Sequence, residues 1–229
     1  MKKLLTTLSM LVVAFATTSA QAVPLSDLFA GQTMTVDDKL FSNWELFQVT
    51  DPEFSAPIDL SLIDVTGLDD DPLNPGLHFE ANGQLTVSGL DFLDLNFGFD
   101  VTVMDPGFRI KDNSLEITEF AMGDLNLGGL ILIEETIFDA AGNEIGFKEA
   151  FVDNLLFEEQ LFDSAEFADM VTISVEKNIL IAGDDFDDVV ELISFEQHFS
   201  QKAVPEPSTW LLMGVGLAAI GVVRRRKRG

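Results

Sequence analysis

The chain contains no cysteine and no tyrosine, and only two histidines and 13 lysines plus arginines among 229 residues. Without cysteine there is no disulfide, no thiolate nucleophile, no Fe–S cluster and no Cys-ligated zinc. Against so few basic residues stand 39 acidic ones, a formal net charge of −26. That balance excludes unassisted binding to nucleic acid or anionic lipid, because like charges repel. Disorder is excluded as well: 47% of the residues are hydrophobic, enough for a core. The length fits one domain, or at most two.

The first 22 residues have three zones. Lys2 and Lys3 are positive, Leu4 to Ala16 is mostly apolar, and Thr17-Thr18-Ser19-Ala20-Gln21-Ala22 is small and polar. This is the layout of a secretory signal peptide, with the cut by signal peptidase expected between Ala22 and Val23. An uncleaved anchor is the alternative, and the short apolar run fits it less well.

The C-terminal end is equally patterned. Val204-Pro205-Glu206-Pro207-Ser208-Thr209 forms a linker, and Trp210 to Val223 carries no charge. Arg224, Arg225, Arg226, Lys227 and Arg228 then close the chain ahead of Gly229. As a transmembrane helix, that apolar run covers about 21 Å of a hydrocarbon core roughly 30 Å thick. Insertion needs a thinned bilayer, with Trp210 and Arg224 in the interfaces. Such a marginal span suits a transient intermediate better than a permanent anchor. The basic cluster is a stop-transfer signal that stays cytoplasmic, which puts residues 23–204 outside.

The ordered set of Pro-Glu-Pro motif, glycine-containing apolar helix and Arg-rich end, paired with a signal peptide, resembles the PEP-CTERM protein-sorting signal. The resemblance covers about the last 26 residues, with Val204, Pro205, Glu206 and Pro207 as the sorting motif. It implies that an exosortase, a membrane Cys-dependent transpeptidase-like protease, recognises the tail and cleaves near the motif. It also implies a Gram-negative bacterium that makes extracellular polysaccharide. The route would run through an inner-membrane intermediate to the cell surface or extracellular matrix. The two prolines suit a protease cleft, since neither can enter a helix interior. A permanent tail anchor on a Pro-rich stalk is the alternative.

The exported middle, with 38 acidic and six basic residues, carries −32. Leu93, Leu95, Phe97, Phe99, Val101 and Val103 alternate with polar residues and glycine, the period of a strand with one buried face. Similar alternation marks strands at Ile58–Val65, Leu77–Phe79, Leu85–Val87, Val171–Ile181 and Val189–Phe199. Further strands are expected at Trp44–Thr50, Leu115–Phe120, Leu130–Phe138 and Ile145–Phe151. Asn82-Gly83 reads as a hairpin turn of the I′ type. Leu155, Leu156, Leu161, Phe162 and Ala165 fit a helical stripe, so Asn154–Met170 is expected to be a short helix or irregular crossover. The domain at 23–200 is therefore expected to be all-β, a sandwich or jelly-roll of roughly ten strands, with a linker at 201–209. The segment from Asp38 through Trp44 onward is also similar to the β-rich ectodomains common among PEP-CTERM proteins, a likeness that implies no ligand.

Few constellations here carry chemistry. Asp184, Asp185, Asp187 and Asp188 offer loop oxygens of the kind calcium prefers, without the spacing of an EF-hand loop. The alternative is solvated loop charge. Trp44 is a candidate sugar-stacking platform, with Leu46 and Phe47 beside it arguing equally for a core position. His78 and His198 lack the spacing of a zinc helix and read as surface residues. No nucleophile-elbow or phosphate-loop motif is present. No cofactor is implied beyond that possible calcium, and no catalytic residue is singled out.

The expectation is a non-enzymatic surface or matrix protein, structural or adhesive, with exopolysaccharide as a possible partner. A calcium-assisted carbohydrate-binding module is the first alternative, and an extracellular hydrolase of matrix polysaccharide the second. Deleting Arg224 to Arg228 removes the positive stop. Cell fractionation of that variant should show loss of membrane retention before processing; unchanged membrane residence would refute the assigned topology.

Overall fold

The structure, a computed structural model, describes residues 21–53, 55–123 and 128–204. The signal-peptide zone before residue 21 and the tail after Val204 lie outside the described residues.

Two antiparallel sheets face each other across an apolar core. The first contains β1 (Val23–Pro24), β4 (Asp64–Leu68), β5 (Gly76–Glu80), β14 (Val189–His198), β8 (Phe108–Met122) and β12 (Phe162–Met170), in that spatial order. Two short strands extend it: β6 (Thr86–Ser88) on β14 and β15 (Gln201–Ala203) on β8. The second runs β11 (Glu158–Gln160), β10 (Glu144–Asp153), β9 (Leu130–Asp139), β13 (Thr172–Ala182), β7 (Phe92–Val103), β3 (Lys39–Thr50) and β2 (Met34–Val36). One short helix, α1 (Leu25–Phe29), follows β1. The expected β-sandwich is what forms. Of 15 strands among the described residues, ten have five residues or more, which matches the expected number.

Alternation decides the inward faces. In β7, Leu93, Leu95, Phe97, Phe99, Val101 and Val103 are all buried. They meet Phe79, Phe195 and Phe199 of the opposite layer, and the ring centroids of Phe79 and Phe195 lie 4.4 Å apart. Aromatic side chains of this size dominate the burial energy.

Three expectations are corrected. Asn154–Met170 is no helix: residues 154–157 turn, and β12 then pairs with β8 from Phe162↔Glu116 onward. The open edge of β8 supplies a ladder that outweighs a local helical stripe, and Leu155, Leu156 and Phe157 face solvent instead. Asn82-Gly83 turns with positive φ at both residues (50° and 79°), yet β5 and β6 both pair with β14 rather than with each other. The turn is an excursion between two stretches along one partner. Ile58 to Leu62 forms no strand; Ile58 and Leu60 reach the core from a loop. That loop is held by the Asp51 side chain, which accepts from Ile58 N–H at 2.9 Å.

The core also holds charge. Glu135, Lys148 and Lys177 are at most 1% exposed. Glu135 on β9 lies directly opposite Lys148 on β10 and Lys177 on β13. Its two carboxylate oxygens accept from the two ammonium groups, one each, and Gln197 Nε2 of the other sheet donates to Oε1 at 2.6 Å. Lys177 Nζ lies 5.2 Å from the Phe195 ring centroid. Burial depresses both lysine pKa values against the pull of Glu135, that of Lys148 to about 8.

Removing the carboxylate strands two buried ammonium groups, so Glu135→Leu should cost about 3–5 kcal/mol in chemical denaturation. Lys148→Met leaves the Glu135–Lys177 pair intact and should stay within about 1–2 kcal/mol of the parent. The unfolded chain holds the Lys148 proton up to its ordinary pKa of 10.5, whereas the folded chain sheds it near 8. The unfolded state therefore binds more protons in that window, and this group's contribution to stability rises with pH across it. Denaturation series at several pH values should show the rise, reduced in Lys148→Met.

Candidate functional site

The two ends of the described domain are anchored in the same sheet. Val23, the first residue after the expected signal cut, opens β1 and pairs with Val65. At the other end, β15 pairs with the start of β8 through Gln201↔Ile110 and Ala203↔Phe108. Val204 N–H then donates to Gly107 O at 2.7 Å. Among the described residues, this bond lies at the last position, directly before Pro205 in the sequence. Pro205, Glu206 and Pro207, the span from Trp210 to Val223 and the basic cluster from Arg224 to Arg228 lie outside the described residues.

Gln201 is the main fastening of β15. Its backbone N–H donates to Leu73 O at 2.9 Å, and its Nε2 donates to Pro72 O at 2.7 Å. Its Oε1 accepts from Lys39 Nζ, which is also 2.5 Å from Asp38 Oδ1. Lys39 is wholly buried and Gln201 is 7% exposed. Lys202, next in β15, points outward to an exposed ion pair with Asp169 at 2.9 Å.

Beside β1 lies a cleft of about 380 Å³, lined by Val23, Met34, Val36, Asp37, Gly67 and Asp69 among others. Partial burial holds the Asp37 carboxyl above its ordinary pKa, and the neighbouring Asp69, Asp38 and Asp71 charges push the same way.

Trp44 is a core residue and offers no platform to a sugar. It is 6% exposed, its ring stacks on Phe99 at 4.3 Å, and Phe79 and Phe97 close around it. The left-handed φ of Asn43 (54°) shifts the pairing of β3 between Ser42 and Glu45, and Trp44 turns inward within this irregularity.

The aspartates 184–188 form a turn in which one member serves the backbone. Asp188 is 2% exposed, and its Oδ2 accepts from Asp184 N–H (2.7 Å) and Asp185 N–H (2.9 Å). Asp184, Asp185 and Asp187 line the outside. Among the described residues no group of three or more His, Asp or Glu side chains is placed to hold a metal ion.

The two histidines are brought together, which their separation in the chain did not suggest. His78 on β5 meets Glu196 on β14 at 3.1 Å, and His198 meets the other oxygen of Glu196 at 3.5 Å. All three are partly exposed on the outer face of the first sheet.

The buried polar residues escaped sequence reading, though a signal for them exists. Lys177 falls in phase with Ile173, Val175, Ile179 and Ile181, and Glu135 in phase with Ile131, Ile133 and Ile137. A charge at an inward position of an apolar alternation requires a buried partner.

Residues 203–227 match the family model of the PEP-CTERM protein-sorting motif. That motif implies export through the membrane to the cell surface and recognition by an exosortase. No curated protein sequence matches the chain. Among solved structures, TmCBM61 in complex with β-1,4-galactotriose is similar at 12% identity, over 71% of this chain and 89% of that one, with a TM-score of 0.27. The family 32 CBM from C. perfringens NanJ in complex with galactose is similar at 15% identity, over 77% and 97%, with a TM-score of 0.22. The C-terminal domain of a chitobiase from Bacteroides fragilis follows at 10% identity, over 76% and 100%, with 0.24. At these identities and scores the likeness carries no argument about ligand or activity.

Trp44→Ala should lower folding stability by about 3–5 kcal/mol, read from the denaturant midpoint. A Trp44 that served as a surface platform would leave stability unchanged.

Proposed function

We propose that this PEP-CTERM sorting domain-containing protein is a non-enzymatic structural or adhesive component of the surface or exopolysaccharide matrix of a Gram-negative bacterium. The observation that carries the reading is the junction at Val204. The described domain is hydrogen-bonded up to Val204, and the motif matched over residues 203–227 begins within β15, so fold and signal adjoin directly.

Two features of the domain support a structural role. The strong pKa perturbations of Lys148 and Lys177 belong to the closed core rather than to a cleft, so they serve the fold. The exported segment carries −32, and Lys39, Lys148 and Lys177, half of its basic residues, are turned inward. The surface is therefore more acidic than composition implies. It suits a hydrated polymer matrix, and self-repulsion would keep copies apart until salt screens it.

In this reading the tail holds the domain at the outer face of the inner membrane until the exosortase acts near Pro205-Glu206-Pro207. The double variant Pro205→Ala, Pro207→Ala should stay unprocessed and membrane-bound. Intact mass of the membrane and released fractions from the native host tests this. The parent should yield a released species ending near Pro207, and the variant a species still carrying Trp210 to Gly229. Normal release of the variant would show that the prolines are not the recognition element. A parent that keeps its tail would instead be a permanently anchored surface protein.

A further inference from the structure

Three of the six cations in the exported segment are fully buried. Lys148 and Lys177 share Glu135. Lys39 differs, because a carboxamide is among its partners. Its Nζ contacts Gln201 Oε1 and lies 2.5 Å from Asp38 Oδ1. Pro72 O holds the Gln201 Nε2 at 2.7 Å, which fixes the carboxamide plane. Asp38 Oδ2 is buried with no hydrogen-bond partner among the described residues. A primary amine, a carboxamide and a carboxylate thus meet at a site where the amine is wholly buried and the carboxylate is partly buried.

We propose that Lys39 and Gln201 condense into an intramolecular isopeptide bond, with Asp38 carrying the protons. The ammonium of Lys39 passes one proton to Asp38, leaving a free amine. The Nζ lone pair attacks Gln201 Cδ, and the carbonyl electrons move to Oε1. Asp38 returns its proton to Nε2, the carbonyl re-forms, and the Cδ–Nε2 bond breaks to release ammonia. The same carboxylate then takes the second proton from Nζ and passes it to the ammonia, which departs as ammonium. The products are one secondary amide, one ammonium ion and the regenerated Asp38 carboxylate; nothing is oxidised or reduced. Burial favours the first step, since desolvation lowers the Lys39 pKa against the opposing pull of Asp38. The same burial protects the product from hydrolysis.

The bond would clasp β3 of one sheet to β15 of the other, across 162 positions of the chain. In a chain without cysteine it takes the place a disulfide would fill. It lies three residues before Val204, so tension on the tail would pass into a covalent link rather than into the three-residue β15.

Peptide mass mapping of the purified full chain tests the proposal. Trypsin should not cut after Lys39. The peptide running through Lys39 to Arg109 should appear joined to the peptide that ends at Lys202. The joined species should be lighter than their sum by one ammonia, about 17 Da. Gln201→Ala should abolish it. Asp38→Asn keeps both reacting groups and should lack the branch while retaining the parent far-ultraviolet circular dichroism. Cleavage after Lys39 with an unlinked Gln201 peptide in the folded parent would overturn the proposal. So would a branch at Lys148 or Lys177 in its place. A branch that persists in Asp38→Asn would overturn the role of Asp38.

Discussion

Glu135 accepts from an ammonium on each neighbouring strand and from a carboxamide of the opposite sheet, so the four strands meet there in one register. Slipping β10 or β13 by one residue along β9 would turn Lys148 or Lys177 to the outer face. The carboxylate would then face the core with a partner missing. Apolar alternation alone would tolerate a slip of two residues; the charged triad does not. Gln197 extends the constraint across the sandwich, since its bond to Glu135 sets how β14 lies over β9. Replacing all three charges with well-packed apolar residues would cost little stability, but the penalty against wrong registers would go with them.

The triad also bears on the surface. A domain this acidic would gain from every cation displayed outside, where it would relieve repulsion between carboxylates. Lys39, Lys148 and Lys177 are spent inside instead, which leaves Arg109, Lys111 and Lys202. Lys111 and Lys202 are tied to Asp112 and Asp169. The folded surface is thus more negative than composition alone implies, and solution counter-ions would relieve its self-repulsion.

How far the sequence could be read depended on where the information was local. The long strands β7, β9, β10, β13 and β14 were legible because their alternation is regular and their turns carry Asp, Gly and Asn. The tail was legible because a protease and a membrane read it as linear sequence. The Asn154–Met170 segment was misread because its helical stripe is local while the open edge of β8 is not. Trp44 was ambiguous because one left-handed residue, Asn43, shifts the phase of β3 at that point. His78 and His198 looked unrelated because only the pairing of β5 with β14 brings His78 to Glu196, two residues from His198 on the same strand. The contact of Lys39 with Gln201 spans nearly the whole domain, and no window along the chain contains both residues.

The junction at Val204 joins the part read as a fold to the part read as a signal. A strand continues along its partner as long as each residue supplies a backbone donor or acceptor in phase. Lys202 and Ala203 do so against Arg109 and Phe108, and Val204 donates to Gly107. Pro205 has no N–H to give, and Pro207 removes a second donor two positions on. Neither proline can therefore donate to a ladder, whatever partner is at hand. The same property that suits the motif to a protease cleft makes it a poor continuation of a strand, so one short stretch of sequence serves both the end of β15 and the start of the signal.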